Sequence, residues 1–380
     1  MNAEPAAGLR VFAPYSLDTL ATGAARLRPE TTALIDRTRA CSYAAFATDV
    51  AALARLLADC GLQPGERLLL SGGAEISLLT ALVAALRAGF EPALAPLDLE
   101  AAELSAYARA VNAGALIGSS EYEDLKFADI YFEVAAAVDS IRFVATLGPG
   151  EVDGAVDLSH AAVVRYAAAH PDNGLERGKP APTPARIVTL DRRHGTPIVH
   201  EQATLMAASF DFGARAEIGR ETPVLSTLPP TSFAGLVAGP FAALLSGATL
   251  HLHGPFAADD FLKCRARAGH AHLVVPATIA SDLADAGILE GLASIVLVSR
   301  LSADNGYLPP PPRVCPCPLI DLYAIDESTA ITEPRRGARA VQPAPEPHYV
   351  GFDEARILTV ERAAEHVLAF RGAAVTPPLA

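Results

Sequence analysis

The chain has 380 residues, 51% of them apolar and only 19% charged. That much apolar material excludes a disordered polypeptide and supports a sizeable core in two or three packed units. A net charge of −13, with Lys and Arg scattered, excludes the basic stripe that nucleic-acid binding requires.

Five cysteines (Cys41, Cys60, Cys264, Cys315 and Cys317) are too few, and odd in number, for a disulfide framework, so a reducing, cytoplasmic setting is expected. Met1–Pro14 carries Glu4 and no apolar run, and no signal peptide is expected there. Ser42 is placed to cap a helix whose Phe46, Val50, Leu53, Leu56 and Leu57 share one face, with Gly61 and Pro64 as its stop. Arg67–Ser71 reads as a strand, followed by Gly72-Gly73 and an apolar helix over about Glu75–Arg87 that Gly89 ends. Short apolar runs at Pro92–Pro96, Ala115–Gly118 and Arg142–Thr146 continue the alternation, which predicts a mostly parallel sheet covered by helices.

Pro171–Ala185 is polar and proline-rich and marks a boundary. Strands are then expected at Arg186–Leu190, Val224–Thr227, Ala248–Leu252, His272–Val275, Ser294–Val298 and Leu319–Tyr323. Prolines interrupt the chain at Leu308–Pro312, and Thr332–His348 reads as a connection before short strands at Tyr349–Phe352, Arg356–Val360 and Val367–Phe370. Phe233–Leu252 is long enough to span a bilayer, but Gly235, Gly239, Pro240 and Gly247 interrupt it; a buried helix, a turn and a strand explain it better, and no membrane is expected. The expected fold is α/β: two stacked, mostly parallel sheets flanked by helices, with a small C-terminal β appendage. The division is 1–170, 171–331 and 332–380.

The order of segments resembles the adenylate-forming enzymes, the AMP-binding superfamily that includes acyl- and aryl-CoA synthetases. Ala33-Leu-Ile-Asp36, Ser42-Tyr43 with its helix, and Pro64-Gly-Glu-Arg-Leu-Leu-Leu70 resemble the opening of their large domain. Leu86-Arg-Ala-Gly-Phe90 followed by Ala93-Leu-Ala-Pro96 continues the likeness. Leu225-Ser-Thr-Leu-Pro-Pro230 with Gly235-Leu236, then Leu245-Ser-Gly-Ala-Thr-Leu250, is similar to the segment lining the acyl pocket. Leu322-Tyr-Ala-Ile-Asp-Glu327 is similar to the family's Tyr-Gly-x-Thr-Glu motif.

Such enzymes activate a carboxylate by attack on the α-phosphate of ATP. The resemblance therefore implies ATP or AMP and Mg²⁺ as cofactors, a phosphate cradle, and a small carboxylate or acyl ligand. The cradle's place reads Thr189-Leu-Asp-Arg-Arg-His-Gly-Thr-Pro-Ile-Val-His200: Gly195 and Thr196 fit its distal end, while the Ser/Thr/Gly half and the lysine are missing. This stretch reads either as an ordinary strand-to-helix turn or as a new anion site using Arg192 and Arg193.

By resemblance Tyr323 stacks on adenine and Glu327 is a magnesium ligand, but Ala324 and Asp326 replace the family's glycine and threonine. A carboxylate beside a phosphate costs about 4 kcal/mol at about 4 Å in an effective dielectric of about 20, unless a metal stands between them. Asp326-Glu327 also reads as a solvated helix start. The resemblance places Ser232, Phe233, Gly235, Ser299 and Arg300 at the acyl pocket, but Ser232 and Ala234 stand where the family often has a histidine and an aromatic, and Ser299-Arg300-Leu301 stands in place of the Gly-Gly-Ala turn.

The family's ribose-binding motif, hinge and C-terminal lid, expected after about Gly372, are not found. His251/His253 and His270/His272 carry a weak zinc reading and Cys315-Pro-Cys317 a weak ligand pattern; both are read as structural. The resulting expectation is a truncated, degenerate synthetase-like protein that binds an acyl or aryl carboxylate, an acyl-adenylate or a partner protein. The alternatives are an adenylating ligase served by a lid-bearing partner or an acyl carrier, and a structural subunit.

Overall fold

The computed structural model describes residues 9–122, 125–148, 150–170, 185–254, 258–301, 315–335, 347–348, 357–364 and 367–377. The chain forms two compact bodies. Leu17–Glu201 with Pro229–Ser232 make the first, and Met1–Ser16, Gln202–Leu228 and Phe233–Ala380 the second. The polar stretch 171–184, on which the expected boundary at 170/171 rests, lies outside the described residues, as does Leu308–Pro312.

The first element, α1 (Leu9–Phe12), groups with the second body. The first body opens with α2 (Leu17–Leu27), the hairpin β1 (Thr32–Ile35) and β2 (Ala40–Ser42), and α3 (Tyr43–Asp59). Ser42 Oγ accepts from Ala45 N at 3.3 Å and starts α3 as its sequence suggests. Then follow β3 (Arg67–Ser71), α4 (Ile76–Ala88), β4 (Glu91–Ala95), α5 (Ala101–Ala110) and β5 (Ala113–Gly118). Asp36, the last residue of the Ala-Leu-Ile-Asp match, is structural. One of its oxygens accepts from Ile76 N at 3.0 Å, at the start of α4, and the other from Thr38 N and Arg39 N at 2.8 Å each. The left-handed Gly89, φ 85°, ends α4.

A small ribbon, β6 (Glu121–Tyr122) with β7 (Leu125–Lys126), leads to α6 (Ala128–Ala137), β8 (Val144–Thr146), β9 (Val156–Asp157), α7 (His160–Ala169), β10 (Arg186–Asp191) and β11 (Thr196–Glu201). The sheet order is β11-β10-β4-β3-β5-β8-β9, parallel except for the β10–β11 hairpin. Parallel strands covered on both faces need near-continuous apolar sequence, which Leu68–Leu70, Ala93–Ala95 and Ala115–Ile117 supply with no exposure.

The second body continues with α8 (Gln202–Arg215), β12 (Val224–Ser226), α9 (Phe233–Leu236), a π-helical turn Val237–Phe241 and α10 (Ala242–Ser246). Next come β13 (Leu250–Leu252), α11 (Ala258–Ala268), β14 (His272–Pro276), a 3₁₀ turn Ala277–Ile279, α12 (Ala280–Asp285), β15 (Ser294–Leu301), β16 (Leu319–Ile325) and β17 (Thr329–Pro334). These strands run in the order β17-β16-β15-β14-β12-β13, parallel except for β16–β17. β18 (Pro347–His348), β19 (Leu358–Ala364) and β20 (Val367–Arg371) form the antiparallel appendage.

The glycine-interrupted run 233–252 is a broken buried helix, a turn at Gly247 (φ 75°) and β13. Among the described residues no helix is long and apolar enough to cross a membrane. The connection expected over Thr332–His348 starts later than read, because Thr329–Pro334 pairs with β16 as β17. The strand expected at Tyr349–Phe352 lies outside the described residues.

Candidate functional site

In the first body the segment matching the phosphate cradle is a β-hairpin, which corrects the strand-to-helix turn. Six residue pairs run from Arg186–Glu201 to Asp191–Thr196, so Thr196–Glu201 is itself a strand and leads directly into α8. Asp191 shapes the tip: Oδ1 accepts from Arg193 N at 3.0 Å, and Oδ2 lies 2.6 Å from His194 Nδ1. Gly195 supplies the left-handed residue, φ 65°, and Thr196 Oγ1 donates to His194 O at 3.3 Å. Arg192 pairs with Asp98 at 2.6 Å, both side chains well exposed. Such a pair is worth about 0–1 kcal/mol, so a competing anion meets little resistance at Arg192. Behind the tip, Thr189 Oγ1 meets His200 Nε2 at 2.8 Å, and burial lowers the His200 pKa to about 3, which keeps the ring neutral.

In the second body the Tyr-x-x-Asp-Glu segment is the end of β16 and the turn into β17, not a helix start. Asp326 and Glu327 both have positive φ, 45° and 53°, and Ser328 N donates to Ile325 O at 2.9 Å. Paired left-handed residues are the mark of tight hairpin turns, where Asp is common and Glu is not. Glu327 holds that conformation while Oε2 accepts from Phe233 N at 2.6 Å, at the first residue of α9. Two segments quoted separately from the sequence are thereby joined by one charge-assisted hydrogen bond. Asp326 is exposed beside it.

Tyr323 is fully buried. Its ring therefore presents no open face to an adenine in this conformation, whatever the resemblance implies. Burial and then the neighbouring Asp321 carboxylate push its hydroxyl above the usual tyrosine range. Asp321 lies two residues earlier on the same strand face and forms a bidentate pair with Arg335, Nη2 to Oδ1 at 2.6 Å, with both side chains almost wholly buried.

Ser299-Arg300-Leu301 is not a turn. It extends β15, pairing in register with Tyr323, Ala324 and Ile325. Ser, Arg and Leu hold extended backbone more readily than two glycines, so the strand runs on. Ser299 is buried and Arg300 exposed. The segment after β20 also reaches the hairpin turn, with Thr376 N donating to Ser328 O at 2.8 Å and Thr329 Oγ1 to Ala374 O at 3.0 Å.

The predicted residues thus fall in two groups. Phe233, Gly235, Ser299, Arg300, Tyr323, Asp326 and Glu327 belong to the second body; Arg192, Arg193, Gly195, Thr196 and the buried Ser232 belong to the first. Sequence reasoning passed over Asp321, Arg335 and Asp98. An acid inside Leu319-Ile-Asp-Leu-Tyr323 was the available signal, since a buried carboxylate needs a partner. His272 bonds Ser294 Oγ at 2.8 Å and His270 the Gly291 carbonyl at 3.0 Å, and no group of three or more metal-type ligands occurs among the described residues.

Residues 22–186 match the family model described as AMP-binding enzyme. Among solved structures, apo MbtA of Mycobacterium smegmatis is 20% identical, with a TM-score of 0.72 over 99% of this chain and 71% of that one. The family match covers less than half of the chain, and the likeness to MbtA at this identity shows the fold. A putative long-chain-fatty-acid CoA ligase from Rhodopseudomonas palustris gives a TM-score of 0.70 at 14% identity, covering 95% of this chain and 89% of that one. The anthranilate CoA ligase AuaEII, in complex with anthranoyl-AMP, gives 0.67 at 15% identity over 82% of this chain. This chain spans 59% of that ligase's length. No curated protein matches.

Proposed function

We propose that this adenylate-forming-like protein binds an acyl or aryl carboxylate, or the corresponding acyl-adenylate, and lacks full ATP-dependent ligase activity. The observation that carries the reading is the Glu327–Phe233 hydrogen bond at 2.6 Å. A carboxylate engaged at the start of α9 has to give up that bond, in whole or in part, before it serves a metal–phosphate pair. The buried Tyr323 and the absence of a lysine from the Asp191–Thr196 hairpin tip support the same reading. The neighbour bound to anthranoyl-AMP supplies the ligand class. By resemblance, Arg192, Arg193, Gly195 and Thr196 would meet phosphate, Ser232, Phe233, Gly235, Ser299 and Arg300 the acyl group, and Tyr323, Asp326 and Glu327 the nucleotide.

A second reading, an adenylating ligase completed by a partner protein, rests on Asp326 standing exposed beside Glu327. Mg²⁺ is commonly held by one or two carboxylates together with substrate phosphates, and Glu327 with Asp326 would hold it here. Calorimetric titration with ATP–Mg²⁺ and with a non-hydrolysable acyl-adenylate analogue separates the two. The analogue alone is expected to bind. Tight binding of ATP–Mg²⁺ together with ATP–pyrophosphate exchange would sink the first reading in favour of the second.

A further inference from the structure

The first body carries a pocket of about 350 Å³ at the amino-terminal ends of its parallel strands, where Arg67 begins β3, Glu91 begins β4 and Arg186 begins β10. Arg142 and Glu66 complete its charged lining. Three guanidinium groups face two carboxylates, leaving one uncompensated positive charge in a protein whose net charge is −13. Ion pairing of Glu91 would need only one arginine, and it has two. Its Oε1 accepts from Arg186 Nε at 2.7 Å and its Oε2 from Arg67 Nε at 3.2 Å.

The donor arrangement decides what the surplus is for. Arg186 contacts Glu91 through Nε only, so among the described residues its Nη1 and Nη2 donate to no protein group. Arg67 uses Nε and Nη1, and Arg142 uses Nη2 on Glu66 at 2.5 Å. Each guanidinium therefore keeps N–H donors unspent, and a buried carboxylate fixes two of them in place. Preorganised guanidinium forks recognise phosphate oxygens in bidentate fashion.

The countervailing field comes from α4 and α5, whose carbonyl ends face this side of the sheet and repel anions. That field is largely absorbed: Gly89 O accepts from Gly65 N at 2.8 Å, and Val111 O accepts from Arg67 Nη1 at 3.2 Å. At Gly114 an added Cβ would lie 3.1 Å from Arg142 Nη2, so glycine there leaves the guanidinium its room.

We infer that this pocket binds a compact phosphate-class oxyanion, either inorganic or the phosphate end of a small ester, with Arg186 as the principal contact and Arg142 and Arg67 beside it. The inference is independent of the carboxylate-binding reading above. Its test is calorimetric titration of the full chain at low salt with inorganic pyrophosphate, inorganic phosphate and glucose 6-phosphate, with succinate as a carboxylate control. Pyrophosphate is expected to bind with a submillimolar Kd, and Arg186→Gln to weaken it at least about tenfold, or about 1.4 kcal/mol. Arg142→Gln should weaken it several-fold, and added salt should weaken wild-type binding. Preferential binding of the sugar phosphate would identify an ester as the source.

Arg186 and Arg142 are 41% and 46% exposed, and Arg67 remains on Glu91 in both variants, so an unchanged thermal midpoint verifies their folding. No heat up to about 10 mM pyrophosphate, a weakness of about 3 kcal/mol of standard binding free energy, would overturn the inference. So would an unchanged Kd in both variants, succinate binding as tightly as pyrophosphate, or a loss in Arg192→Gln that Arg186→Gln does not reproduce.

Discussion

Glu327 sits in the left-handed region at φ 53° and bonds Phe233 N through its side chain. The two facts have opposite signs in energy. A left-handed non-glycine residue costs on the order of 1 kcal/mol, and a charge-assisted hydrogen bond returns about 1.5–3 kcal/mol. Glu327→Ala keeps the cost and loses the bond, and a loss of about 2 kcal/mol is expected. Glu327→Gly loses the bond and removes the cost, so it should unfold at higher denaturant than Glu327→Ala. Urea melts of the two variants check the order, and the reverse order would show that the bond, not the backbone, sets the conformation. At Gly73 the constraint is space rather than backbone conformation. A Cβ there would lie 2.1 Å from the Tyr122 ring, closer than any real contact. Gly73→Ala is expected to cost about 1–3 kcal/mol by overpacking, and Tyr122→Ala in the same chain to recover part of it. A fully native melting curve for Gly73→Ala would show that the ring swings aside freely.

Among elements, β16 and β17 are tied by the Asp321–Arg335 pair as well as by their ladder. Both side chains are almost wholly buried, so each charge depends on the other for solvation. Asp321→Asn should cost about 3–5 kcal/mol by stranding the guanidinium, whereas Asp321→Leu with Arg335→Met should cost far less. Equal losses in the single and double variants, read from denaturant midpoints, would reject the argument. This pair also shows where sequence reading stops. The alternation of apolar strands and helices was legible because burial on both faces leaves no choice of residue, and Ser42 and Gly89 announced their caps locally. Turns depend on what pairs across them. Asp326-Glu327 has the composition of a helix start and becomes a hairpin only because Thr329–Pro334, read as connection from Thr332 onward, finds β16. Ser299-Arg300-Leu301 likewise becomes strand through its neighbour β16. Arg335 as the partner of Asp321 was invisible, since only a fold brings two distant charges together.

For the whole molecule, three buried histidines link stability to pH. Burial lowers His200 to about 3; burial and then Arg267 lower His251 to about 4; burial and then His270 lower His272 to about 4. Each pKa in the folded chain lies below the unfolded value of about 6.5. Below pH 6.5 the unfolded chain therefore takes up protons that the folded chain refuses. The stabilisation is complete above about 6.5 and is lost as pH falls toward 3–4. At pH 5 each histidine contributes a loss on the order of 2 kcal/mol, so the three together approach the whole stability of an ordinary domain. Asp49 and Glu75 work against this, because burial holds both above the usual carboxylate range and folding then favours their protonated forms in acid. The net slope is thus a difference, and a single variant isolates one part of it. His272→Asn should flatten the fall in unfolding free energy between pH 7.5 and 5 by on the order of 2 kcal/mol, whatever its effect at neutral pH. Urea melts of wild type and variant at the two pH values measure it. Parallel slopes would mean that His272 charges within the fold, with Ser294 Oγ, 2.8 Å from its Nδ1, accepting from the imidazolium.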